Sequence, residues 1–188
     1  MNRVFITGAS SGLGRALAQQ YAASGATLGL LGRREDALRE LAASLPGEHR
    51  CYAVDVRDRA ALHAAAADFI AFCQGRVDVV IASAGISAGT LTEHGEDYDV
   101  FKAIVDTNLL ATVATFEPFV GAMRAAGAGR LVGIASVAGV RGLPGAGAYS
   151  ASKSAVVTYC ESLRLELAAD GIRAVSYTHL RAHETGRN

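Results

Sequence analysis

The chain has 188 residues, enough for one domain with a single substantial core, and 51% of them are hydrophobic. Its 18 Lys and Arg balance 18 Asp and Glu, so the formal net charge is zero and no nucleic-acid surface is expected. Apolar runs are strand-sized rather than membrane-spanning, and the opening MNRVFITG carries no signal-peptide pattern, so no membrane partner is expected either.

Short apolar runs predict strands at residues 4–7, 27–31, 50–54, 77–82, 130–135 and 172–175, with helix-length segments between them. That alternation predicts α/β architecture, a doubly wound parallel sheet whose right-handed crossovers cover both faces. After the first strand comes TGASSGLGR, residues 7–15, opening an amphipathic helix. Glycines at 8, 12 and 14 permit a tight turn and close backbone approach, and the helix N-terminus offers free amides to a phosphate. Gly8, Ser10, Ser11, Gly12, Leu13 and Gly14 are the expected contacts, although the spacing is neither G-x-G-x-x-G nor a P-loop. The second strand ends in GRR; Arg33 suits a ribose 2′-phosphate, which favours NADP over NAD, while Arg34 reads as a surface residue of the next helix.

Leu38, Leu41 and Leu45 stripe the second helix, and Leu62, Ala66, Phe69, Ile70 and Cys73 the third. A long helix is expected over 97–126, kinked or broken at Pro118. Asn108 falls in its buried stripe, where an amide must find partners, either nearby backbone or a functional group. Ser136 follows the fifth strand. In AYSASKSAV, residues 148–156, Tyr149 and Lys153 stand one helical turn apart on one face, with Ser150 and Ser152 read as surface residues. The cysteines, Cys51, Cys73 and Cys160, have neither metal-ligand nor disulfide spacing and read as small hydrophobes in a reducing cytoplasm. No metal site is expected; His179 and His183 share helical spacing, but no acidic or Cys partner organises them.

T-G-x-x-x-G-x-G at 7–14, Asp55 after the third strand, Ala84 and Gly85, Asn108, Ser136 and Y-x-x-x-K at 149–153 together resemble the classical short-chain dehydrogenase/reductase (SDR) family. The resemblance covers residues 3 to about 175. It implies a Rossmann-like fold, with Asp55 and Val56 holding the adenine of the cofactor and Ala84 and Gly85 lying along it. It also implies hydride transfer between nicotinamide and a carbonyl or alcohol carbon of a small molecule, with Asn108, Ser136, Tyr149 and Lys153 as the catalytic tetrad. A free tyrosine is a poor base near neutrality, and the adjacent Lys153 ammonium favours tyrosinate. In this scheme Tyr149 is the general acid/base, Ser136 bonds the substrate oxygen, Asn108 holds a proton-relaying water, and Lys153 also bonds the nicotinamide ribose. Homodimers or homotetramers are implied through the 97–126 and 147–169 helices.

Two departures from the family stand out. Ser83 replaces the usual Asn before Ala84 and Gly85, and SYTHLRAHETGRN, residues 176–188, replaces a Pro-Gly turn, substrate-covering segment and final strand. Residues 1–175 are therefore expected to be an incomplete dinucleotide-binding catalytic domain, and 176–188 a disordered or non-native tail. The small apolar stretch VAGVRGLPGAGA, residues 137–148, suits an uncharged substrate. The competing class is a nucleotide-binding sensor or scaffold without turnover, which has no need of Tyr149 and Lys153 together with Ser136 and Asn108; an inactive fragment of the enzyme is a third reading.

Overall fold

The computed structural model describes residues 2–178. Six strands, β1 (Arg3–Thr7), β2 (Thr27–Gly32), β3 (His49–Ala53), β4 (Val79–Ala82), β5 (Gly129–Ile134) and β6 (Ile172–Tyr177), form one parallel sheet in the order β3-β2-β1-β4-β5-β6. Helices α1 (Gly12–Ala23), α2 (Glu35–Ser44), α3 (Arg59–Phe72), α4 (Tyr98–Val105), α5 (Ala111–Ala126) and α6 (Gly147–Glu166) make the crossovers. Strand order reverses between β1 and β4, so the chain leaving these neighbours diverges and opens a crevice at their carboxyl ends. This is the Rossmann-like doubly wound sheet expected from the alternation of apolar runs.

Alternation along β1 splits the core in two. Val4 and Ile6 join Ala18, Leu28, Leu30, Leu38 and Leu41 beneath α1 and α2. Phe5 faces the opposite side, with Leu62, Phe69, Phe119 and Val156 from α3, α5 and α6. There the Phe5 ring lies 5.5 Å from that of Phe69 and 4.9 Å from that of Phe119, tilted pairs worth about 1 kcal/mol each beyond their burial.

The helical run expected over 97–126 does change geometry, but not at Pro118. A π-turn, Asp106–Leu110, joins α4 to α5, and Asn108 sits inside it. Pro118 lies within an unbroken α5. A proline cannot supply the N–H that the carbonyl four residues earlier would accept, and His63 Nε2 donates to that carbonyl, Ala114, at 3.1 Å instead. The donor comes from α3, which lets α5 pass through the proline intact.

The sixth strand runs two residues past its expected end. Ser176 pairs with Gly133 and Tyr177 with Ile134, so these two residues belong to the sheet rather than to a tail. Their apolar signal is weak because β6 is an edge of this sheet with alternate residues exposed. His179 and His183 lie outside the described residues. No helix among the described residues is long and apolar enough to cross a membrane.

Candidate active site

A cavity of 860 Å³ lies across the carboxyl ends of β1 to β5, over the point where strand order reverses. One wall is the turn between β1 and α1. Gly8 has φ +68°, and a Cβ there would come 2.8 Å from Ala84 Cα; a Cβ on Gly14 would run into the Gly8 carbonyl. The glycines therefore let the turn fold flat against the end of β4. Ser11 caps α1 in extended conformation without a side-chain bond, which leaves the first-turn amides of Gly12, Leu13 and Gly14 at the cavity wall. Ser10 lines the same wall.

The far end of the cavity carries charge. Arg33, Arg34, Asp55, Val56 and Arg57 line it. Arg57 grips the Asp55 carboxylate, with Nε at 3.1 Å from Oδ1 and Nη2 at 2.7 Å from Oδ2, and its backbone N–H adds a bond of 3.0 Å. This grip, above all the side-chain hydrogen bonds, holds the Asp55 carboxyl down to about 2. Arg34, read from sequence as a plain surface residue, donates Nη2 to the Ser10 carbonyl at 3.0 Å and so braces the glycine turn. Arg57 was not singled out by the sequence reading; a pairing two residues apart in a loop leaves no periodic trace.

Ala84 and Gly85 lie midway along the cavity. The chain there is held by Thr7, whose Oγ1 accepts from the backbone N–H groups of Ser83 and Ala84, each at 3.2 Å. A hydroxyl on β1 thus anchors this segment where Ser83 departs from the family pattern.

Tyr149 and Lys153 close the opposite end. Lys153 is 6% exposed, its Nζ donates to the Ile134 carbonyl at 2.7 Å, and the same Nζ lies 5.7 Å from the centre of the Tyr149 ring. Burial pushes the ammonium down to about 8. Ser136 lies at the foot of a short 3-10 turn, Val137–Gly139, where its Oγ accepts from the Ala138 N–H at 3.2 Å and keeps its own proton to donate. That turn packs so closely on α6 that a Cβ at Gly139 would be 2.8 Å from the Lys153 carbonyl carbon. Tyr177 steadies the strand end just before Ser136, since its carbonyl accepts from the Ala135 N–H at 3.0 Å.

Asn108 is buried behind the cavity wall. A point beside Gly85 lies 3.2 Å from Asn108 Oδ1 and 3.5 Å from Lys153 Nζ, so the amide and the ammonium meet at that glycine. Its side chain accepts from the Ile86 N–H at 2.8 Å and donates to the Ile86 carbonyl at 3.0 Å and to Ser152 Oγ at 3.0 Å. Both amide hydrogens are bonded within the protein, so a water at this side chain would have to donate to Oδ1. Ser150 and Ser152 are not surface residues: they are 6% and 1% exposed, and Ser150 Oγ accepts from the Leu143 N–H at 3.4 Å. The helical phase carried this signal, because Ser152 extends the stripe of Val156, Cys160 and Leu163 by one turn.

Residues 2–179 match the sequence profile described as short chain dehydrogenase. The chain belongs to the short chain dehydrogenase family. It is 40% identical over 173 residues to a 2-dehydro-3-deoxy-L-rhamnonate dehydrogenase (NAD(+)) of Sphingomonas sp. (strain SKA58), covering 92% of this chain and 69% of that one. A short-chain dehydrogenase from Streptomyces avermitilis superposes with a TM-score of 0.89 at 31% identity, over 100% of this chain and 69% of that one. An NAD+-bound xylitol dehydrogenase gives 0.87 at 28% identity, over 94% of this chain and 69% of that one. The family uses a nicotinamide cofactor. The flat glycine turn, the free first-turn amides and the 860 Å³ cavity across the strand ends fit such a dinucleotide.

Proposed function

We propose that this protein is an NADP-preferring oxidoreductase acting on the carbonyl or alcohol carbon of a small molecule, with Tyr149 as general acid/base. The observation that carries the reading is the pairing, at one end of a dinucleotide-sized cavity, of Tyr149 with a buried Lys153 that has a carbonyl for its bonding partner. Tyr149 stands at the same end of the cavity, its ring centre 5.7 Å from the Lys153 Nζ, and there takes a proton from an alcohol and returns it to a carbonyl oxygen. Ser136 donates its free proton to the same oxygen and orients it. The nicotinamide, when bound, supplies or accepts the hydride. Lys153 keeps hydrogens to offer its ribose.

Three guanidiniums, Arg33, Arg34 and Arg57, face one carboxylate, Asp55, at the far end, leaving two positive charges for a 2′-phosphate. The Sphingomonas relative is named for NAD(+) and the xylitol dehydrogenase holds NAD+, so NAD is the competing cofactor. Nicotinamide fluorescence during titration with NADPH and NADH separates the two. The charge balance predicts NADPH at least about tenfold tighter, the worth of one charge-assisted hydrogen bond. Equal affinities overturn the NADP preference, and no binding of either by the folded chain overturns the dinucleotide site.

Tyr98, Phe101 and Leu110 expose apolar surface along α4 and the π-turn. That face suits a homodimer or homotetramer, which light scattering on the eluting protein reads directly.

A further inference from the structure

The buried hydroxyl of Ser152 joins two parts of the site that no backbone connection holds together. One is the π-turn carrying Asn108; the other is the first two turns of α6, carrying Tyr149 and Lys153. Ser152 Oγ donates to the Tyr149 carbonyl at 2.8 Å, so its proton is committed to the helix. Its lone pairs then face Asn108, and an amide N–H is the only end of that side chain they can accept from. The two bonds to Ile86 demand the same amide orientation. Three contacts from two separate segments therefore agree on one setting of Asn108.

From this geometry we infer that Ser152 is a positioning residue for hydride transfer: it locks the α6 turn bearing Tyr149 and Lys153 in register with the Asn108 turn and the Ile86 segment beside Gly85. Every link in the chain from the Ile86 backbone through Asn108 and Ser152 to the Tyr149 carbonyl is a hydrogen bond of 2.8 to 3.0 Å. Without the hydroxyl, one Asn108 hydrogen loses its partner in a buried place and the amide is free to turn. Small displacements of reacting groups are costly, and an error of 1 Å lowers rates by roughly a hundredfold. Ser150, two residues away and also buried, bonds the Leu143 backbone and not Asn108, which makes it a control for the plain loss of a buried hydroxyl.

The inference rests on the proposed role of Tyr149, so its test has a readout that needs no turnover. The chain contains only three asparagines, Asn2, Asn108 and Asn188, so selective 15N-asparagine labelling gives three side-chain amide pairs. In the wild-type chain the buried, doubly bonded Asn108 pair should be protected from hydrogen exchange. Ser152→Ala should speed that exchange by about tenfold or more, as expected for a lost buried bond, and Ser150→Ala should leave it unchanged. In turnover, Ser152→Ala should lower kcat about tenfold while NADPH binding stays within about twofold, and Ser150→Ala should keep the wild-type kcat. Unchanged Asn108 exchange in Ser152→Ala overturns the link. Equal kcat in the two serine variants overturns the positioning role. A wild-type protein that binds NADPH but reduces no carbonyl sinks the Tyr149 reading instead, and amide exchange still decides whether Ser152 holds Asn108.

Discussion

Replacing Lys153 with methionine should stabilise the fold while abolishing its use as a catalyst. The ammonium is almost wholly buried, and its protein partner is the Ile134 carbonyl rather than a carboxylate. Burial lowers it from 10.5 to about 8. The folded chain thus binds this proton less readily than the unfolded chain, so the cost to stability is fully present below pH 8. It is relieved as pH rises from about 8 to 10.5. The size of the shift converts to about 3 kcal/mol at pH 7. Methionine removes that cost and forfeits a hydrogen bond worth about 1 kcal/mol, leaving a gain of about 2 kcal/mol. Urea unfolding of both proteins, followed by circular dichroism at pH 7 and pH 10, reads the effect as a difference between them. The difference is needed because burial also pushes Cys73 and Cys160 up to about 11, which opposes the lysine on the alkaline side and is common to both chains. The gain at pH 7 should close by pH 10. A Lys153→Met protein less stable than wild type at pH 7, or a gap indifferent to pH, refutes the burial argument.

Charge removal at the far end of the cavity should act on one cofactor selectively. Arg33→Ala and Arg57→Ala should each weaken NADPH about tenfold in fluorescence titrations and NADH far less, and Arg57→Ala should also return the Asp55 carboxyl toward its ordinary range, visible by carboxylate NMR. His63→Ala should cost about 1 kcal/mol in urea unfolding, because the Ala114 carbonyl beside Pro118 loses its donor. In a Pro118→Ala background, the new backbone N–H serves that carbonyl, and the same histidine substitution should cost much less.

The sheet was legible because each buried strand is a compact apolar run, and the glycine turn because Gly8 and Gly14 stand where a Cβ would collide with backbone. Tyr149 and Lys153 were legible for a similar reason: two polar groups one turn apart in a helix rich in small residues have few structural explanations. The π-turn was not, since a shift of backbone bonds from i−4 to i−5 leaves no residue signature, and Pro118 drew attention to the wrong place. Nor was the answer to Pro118, which comes from His63, 51 residues distant from the Ala114 carbonyl it serves. Ser176 and Tyr177 were missed because edge-strand residues are half exposed and need no apolar run. Ser152 was misplaced although its helical phase pointed inward; a hydroxyl reads as a surface group until its partner, Asn108, is known.

The most direct test of Tyr149 is NADPH oxidation, followed at the nicotinamide absorbance, with a panel of small aldehydes and ketones, comparing the wild-type protein with Tyr149→Phe at matched NADPH saturation. Positioned acid–base groups typically contribute about a hundredfold to ten-thousandfold in rate, so the account predicts a loss of at least about a hundredfold with NADPH affinity intact. A Tyr149→Phe protein that reduces the same carbonyls at the wild-type rate contradicts it.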